Sequence, residues 1–137
     1  MINVVLDTNC LLMSLSSKGR YFSVWRDLLA GKYVLCLTNE ILTEYEEILT
    51  QKIGKNVAGN IISAIMNLPN VKKVDVYFHF LLIKSDPDDD KFVDCAIKAN
   101  AKYIVSEDRH YDVLREISFP KVDVIGIDEF IVDLMVM

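Results

Sequence analysis

Apolar and polar positions alternate along this chain on two different periods. "INVVL" (2–6), "YVLCL" (33–37) and "KYIVS" (102–106) are short, nearly continuous apolar runs, the pattern of strands buried on both faces. Between them the period lengthens toward that of a helix. "YFSVWRDLLAG" (21–31) is amphipathic and closes on a glycine, and "TNEILTEYEEILTQK" (38–52) has an apolar stripe with Thr38 or Asn39 as its cap. A short helix is predicted over 9–15, and another near 55–67, ending before Pro69. Residues 71–84 are ambiguous, since "VKKVDVYF" alternates like a strand while "FHFLLI" fits either state.

The next helix opens at "SDPDDDKFVDCAIKANA", with Asp86 as N-cap and Pro87 in the first helical position. A helix over 109–117, a strand over 122–127 and a closing helix over 128–136 complete the order. Apolar strands alternating with helices predict an α/β fold, three-layered α/β/α around a central parallel sheet. With 137 residues, the chain is expected to form a single domain over 1–137. A chain of this length buries roughly 68% of its unfolded surface, enough for a core without disulfides.

Cys10, Cys36 and Cys95 are odd in number and lie inside apolar stretches, so they are expected to be small buried hydrophobes in a reducing compartment. The opening "MINVVLDTN" lacks the charged-then-apolar order of a signal peptide, and no run reaches the roughly 18 apolar residues of a membrane span. A cytoplasmic protein without membrane association is expected. The net charge of −5 argues against general, phosphate-driven binding of nucleic acid. It leaves room for acids gathered around a divalent cation, which act locally as a positive site.

Parallel sheets bind ligands beyond the carboxyl ends of their strands, so acids placed there carry the functional reading. Asp7 follows the first strand directly, and Asp108 follows "YIVS" after Glu107. In the helix over 38–52, Glu40 and Glu47 point away from the apolar face, whereas Glu44 and Glu46 lie on its opposite borders. Either border residue could reach a cleft. In "DPDDDKFVD", Asp88, Asp89 and Asp90 fall in the first helical turn, where acids are favoured by the helix dipole alone. Asp90 borders the face of Phe92, Val93, Ala96 and Ile97, Asp94 lies one turn on, and Asp89 projects toward that face from the helix start. The helical wheel does not rank them.

His79 and His110 stand near no cysteine cluster, which disfavours zinc, and there is no glycine-rich phosphate loop or nucleophile elbow. Carboxylate oxygens without imidazole or thiolate favour Mg²⁺ or Mn²⁺.

"VVLDTNCLL", the glutamate in "ILTEYEEIL", "DPDDDKFVDCAIKANAKYIVSED" and "VIGIDEFI" together resemble the PIN domain, closest to its small prokaryotic members that are toxins of toxin–antitoxin pairs. The likeness runs in order through nearly the whole chain. It implies a metal-dependent endoribonuclease acting on single-stranded or structured RNA and leaving 5′-phosphate and 3′-hydroxyl ends. Mg²⁺ or Mn²⁺ would be held by Asp7, Glu44 and Asp108, with Asn9 and Ser106 in support. The third acid stays open. The "DPDDN" of many relatives points to Asp89, and spacing against the toxin pattern D-A-L-I-A-A points to Asp90.

Lys18 and Arg20, or Arg109 and His110, are candidates for holding RNA phosphates. A protein antitoxin and a homodimer are the implied partners, the latter through the apolar "FIVDLMVM" tail. The rivals are a catalytically weak PIN-fold interaction module and a phosphatase-like phosphoryl transferase using Asp7. The second is disfavoured because residue 9 is Asn, which breaks the D-x-D pattern.

Overall fold

A computed structural model describes residues 1–83 and 87–137. Five strands form one parallel sheet: β1 (Asn3–Leu6), β2 (Val34–Leu37), β3 (Val71–Lys73), β4 (Tyr103–Val105) and β5 (Val124–Ile125), in the order β3-β2-β1-β4-β5. Successive strand residues point to opposite faces. Val4, Val5 and Leu6 of β1 are all 0% exposed, so both faces of the central strand are covered by helices. This is the expected α/β/α arrangement.

The helices are α1 (Thr8–Met13), α2 (Phe22–Leu29), α3 (Asn39–Ile53), α4 (Lys55–Asn67), α5 (Asp90–Ala99) and α6 (Ile127–Met135). Thr38 caps α3 by accepting from the Ile41 N–H, and α5 packs on β1, β2 and β4. α5 ends on Asn100 in the left-handed region (φ 51°), a conformation that Asn tolerates better than most residues. All three cysteines are buried and unpaired. Among the described residues no helix is long and apolar enough to cross a membrane.

Four stretches differ from the pattern-based expectation. The ambiguous stretch gives only the short β3, after which residues 74–83 run as irregular chain bonded to α5: Phe80 N–H donates to Asp94 Oδ1 at 3.1 Å and Ile83 N–H to Asp90 Oδ1 at 2.8 Å. The segment expected as an α-helix over 109–117 winds as a 3₁₀ helix, Arg109–Glu116. The last strand shrinks to two residues, so both sheet edges are short. Helix α5 begins one 3₁₀ turn, Pro87–Asp89, later than Pro87, and the Asp86 cap lies outside the described residues.

Candidate metal centre

The chain leaves β1 toward β2 on one side, while β4 lies on the other. This reversal of strand order creates a crevice at the carboxyl ends of β1 and β4. Asp7 is the first residue past β1, and its N–H donates to Val105 O at 3.0 Å, so the two strand ends are stapled together. Ser106 Oγ donates to Asp7 Oδ2 at 2.7 Å and accepts from the Asp108 N–H at 3.0 Å. One hydroxyl thereby ties the Asp7 carboxylate to the Asp108 backbone. Asn9 is exposed and acts on Asp7 through its backbone N–H.

Helix α3 starts at the same sheet edge because Thr38 directly follows β2. The Tyr45 hydroxyl donates to Leu6 O at 2.6 Å and pins α3 over the end of β1, which brings the neighbouring Glu44 inward. Glu44 is half-buried, whereas Glu40, Glu46 and Glu47 are exposed, so the two border positions are not equivalent. Glu44 Oε2 accepts from Thr8 Oγ1, and Oε1 lies 2.6 Å from Lys91 Nζ.

In the aspartate run, adjacent residues do different things. Asp90 is turned onto the Ile83 backbone. Asp89 Oδ2 lies 3.3 Å from His110 Nδ1, and that nitrogen is 3.2 Å from Asp108 Oδ1. One oxygen each from Asp89 and Asp108 and one nitrogen of His110 all lie within 4.8 Å of one another, a spacing that suits shared coordination. Asp88 is exposed. Asp94 is buried, but its carboxylate holds His79 Nδ1 at 3.0 Å and the Phe80 N–H.

Burial pushes the Asp7 carboxyl above its ordinary 3.8. The bonds from Ser106 and the Asn9 N–H oppose that rise, and the negative charges of Asp108 and Glu44 add to it. Tyr111, in the 3₁₀ helix, is 1% exposed, and its hydroxyl is the one fully buried side-chain polar atom without a hydrogen bond among the described residues. Burial raises this phenol far above its usual range, with further increments from Asp7, Asp89, Asp108 and Glu44. Its hydroxyl therefore sits in the field of four carboxylates that come from four parts of the chain. Hard oxygen donors and excess negative charge together fit a divalent cation of the Mg²⁺ or Mn²⁺ kind.

A cleft of about 590 Å³ opens from Ser106, Asp108 and Tyr111 and passes Arg109, Arg115 and Lys121. Arg109 thus shares the cleft with Asp108, whereas Asp7, Glu44 and Asp89 do not line it. Arg20 instead pairs with Asp128 of α6 at 2.9 Å on the surface, and Lys18 is exposed; neither bonds to the clustered acids. Sequence reasoning missed Tyr111 and Lys91, and it set imidazole apart from the acids although His110 lies against two of them. The "EDRHY" string holds both His110 and Tyr111, but nothing in it reports a 3₁₀ turn that folds them back on the cleft.

A parallel sheet with carboxylates gathered beyond its switch point is an α/β fold with a candidate cation site. Residues 3–110 match the family model for the PIN domain, and the chain belongs to the PIN domain family. No curated protein matches its sequence. Among solved structures, it superposes with a TM-score of 0.64 on a chain of VapBC2 from Rickettsia felis, crystallised with a DNA fragment from their promoter, at 13% identity over 91% of this chain and 98% of that one. DNA-bound VapBC from Salmonella typhimurium gives 0.60 at 13% identity, covering 93% and 99%. VapC20 from Mycobacterium tuberculosis, a sarcin-ricin loop cleaving toxin, gives 0.56 at 15% identity, covering 80% and 92%. At these identities the likeness is one of fold.

Proposed function

We propose that the whole chain, 1–137, acts as one PIN domain that hydrolyses RNA phosphodiester bonds with Mg²⁺ or Mn²⁺, as a toxin held silent by a protein antitoxin. The observation that carries this reading is the gathering of Asp89, Asp108 and His110 within 4.8 Å of one another, with Asp7 tied to Asp108 through Ser106 at the carboxyl edge of the sheet. Asp7, Glu44, Asp89 and Asp108 are the proposed cation ligands. Asp89 takes precedence over Asp90 because the Asp90 carboxylate is committed to the Ile83 backbone.

A divalent cation bound there supplies a Lewis acid and a water acidified for attack on phosphorus. The chain's own groups arrange the rest. Ser106 holds Asp7 and Asp108 in fixed relation, and Thr8 orients Glu44. Arg109, at the cleft mouth, meets the RNA phosphate, while Arg20 and Lys18 contribute less. The structural neighbours with antitoxin partners support the toxin role by analogy of fold. Exposed Val132, Met135 and Val136 on and after α6 supply an apolar face for a homodimer.

A second reading, a PIN-fold interaction module without catalysis, draws on Lys91, whose ammonium already neutralises Glu44. One experiment separates the two. Purified protein incubated with unstructured RNA should cut it with Mg²⁺ or Mn²⁺, leave 5′-phosphate ends, and stop with EDTA. Equal cleavage in EDTA overturns the metal mechanism, and inertness with both metals on several RNAs favours the module.

A further inference from the structure

The donor atoms that meet most closely at this site are not all carboxylate oxygens. Nδ1 of His110 stands 3.3 Å from Asp89 Oδ2 and 3.2 Å from Asp108 Oδ1, and the three atoms lie within 4.8 Å of one another. Local folding puts the ring there. Asp108 caps the 3₁₀ helix, its Oδ1 accepting the His110 N–H at 2.9 Å, so one carboxylate holds the backbone from which the imidazole projects. Asp89 is buried and arrives from the start of α5.

An ion pair is the simpler account of these contacts, and the distances weigh against it. Charge-assisted N–H···O bonds run to about 2.7–2.9 Å, and one nitrogen carries at most one proton for two oxygens. Both contacts are longer than that. Donors that share one small divalent cation at about 2.1 Å, at right angles to each other, stand about 3.0 Å apart. The two observed spacings lie within a few tenths of an ångström of that value. The second histidine, His79, is held by Asp94 at 3.0 Å and lies outside the group.

We propose that His110 is a direct ligand of the divalent cation through Nδ1, and that its nitrogen makes the centre select Mn²⁺ over Mg²⁺. This rests on the metal-centre reading above and adds a ligand and a preference to it. Mg²⁺ is a hard ion that favours oxygen donors and gives up water reluctantly. First-row transition ions take imidazole more readily, and among them Mn²⁺ also suits carboxylates. Asp89, Asp108 and His110 offer such a mixed set.

The test uses the full chain with Mn²⁺ as probe, beside His110→Gln, which removes the ring and keeps the backbone N–H bonded to Asp108. Pulsed paramagnetic resonance of bound Mn²⁺ should show coupling to a directly coordinated nitrogen in wild type and lose it in the variant. Mn²⁺ affinity, read from the free-ion signal, should fall at least about tenfold, since even the partners behind metal ligands are worth roughly 10–100-fold. Mg²⁺ affinity, read by displacement of Mn²⁺, should change little, so the preference for Mn²⁺ shrinks. Bound Mn²⁺ without nitrogen coupling in wild type overturns the proposal. An equal loss for both ions also overturns it, because His110 would then only support the acids. Inorganic phosphate titrated onto the Mn²⁺-loaded proteins covers the remaining role of the ring. Weaker phosphate binding with unchanged Mn²⁺ affinity would assign His110 to the substrate instead and overturn the proposal. If wild type binds neither ion, the metal-centre reading fails and this ligand with it.

Discussion

Lys91 and Glu44 make the most exacting test of the site, because a metal and an ammonium compete for one carboxylate. Their atoms are 2.6 Å apart, with the side chains 11% and 24% exposed. At an effective dielectric of about 20, two unit charges at that distance attract by roughly 6 kcal/mol before desolvation and lost side-chain freedom are subtracted. Exposed pairs retain about 0–1 kcal/mol, and breaking a buried one costs about 3–5. This pair lies between those limits, so Lys91→Met should destabilise the metal-free protein by about 2 kcal/mol. An unfolding entropy of ~2.1 cal/mol/K per residue, over 137 residues, is ~0.29 kcal/mol/K, which places the loss near 7 °C.

Burial lowers the Lys91 pKa, but the Glu44 bond and the charges of Glu44, Asp88 and Glu40 outweigh that and lift it above the ordinary 10.5. The stabilisation is therefore fully present below 10.5 and is lost only as pH rises through the higher folded value, so the deficit of the variant should be constant through neutral pH. Metal reverses the order. In wild type the cation must take Glu44 from the ammonium, whereas in Lys91→Met the carboxylate is available. The variant should bind Mg²⁺ more tightly, and each tenfold gain returns about 1.4 kcal/mol at saturation. Thermal melts of both proteins in EDTA and in millimolar Mg²⁺ decide the matter. If Mg²⁺ narrows the gap between them, the reasoning stands. A gap equal in both conditions refutes it, because Glu44 would then be no metal ligand.

Asp7→Asn should act in the opposite sense, melting higher than wild type in EDTA at neutral pH by on the order of 1 kcal/mol, as for other functional residues held against stability. The fold raises this carboxyl above 3.8, so the destabilisation it carries is complete above the folded pKa and disappears in acid below 3.8, where the two melting curves should converge. Asp89→Asn should abolish cleavage with little loss of stability. Asp90→Asn, which keeps an acceptor for the Ile83 N–H but loses its charge, should be destabilised by about 1 kcal/mol and keep activity while folded. The reverse pattern would make Asp90 the ligand. Asp112→Asn, on an exposed position, is the control and should change neither quantity.

The sheet, and the positions of Asp7 and Asp108 past the ends of its strands, were legible because each depends on a short stretch: an apolar run, then a carboxylate. Glu44 was half legible. The helical wheel put it and Glu46 on opposite borders of one face, and only the Tyr45 bond to Leu6 shows which border looks over the sheet. Asp89 and Asp90 could not be ranked from sequence, because the choice depends on residues 74–83 crossing α5 and occupying Asp90, a contact that the mixed pattern of "VYFHFLLI" does not encode. Tyr111, and the approach of His110 to Asp89, were hidden by periodicity. A 3₁₀ winding aligns residues three apart, not three to four as in an α-helix, so the face expected from an α pattern is not the one formed. Lys91 reads locally as one more helix-surface charge, and its meaning depends on a residue 47 positions away.

The two ends of the sheet have a consequence for how a partner can approach. β3 has three residues, two of them the exposed Lys72 and Lys73, and β5 has two. Edges so brief and so charged are poor templates for another strand. Copies of this chain therefore have little to zip together edge to edge, even when concentrated. Any protein partner likewise finds little here for recognition by strand addition, the mode that draws its affinity from main-chain bonds.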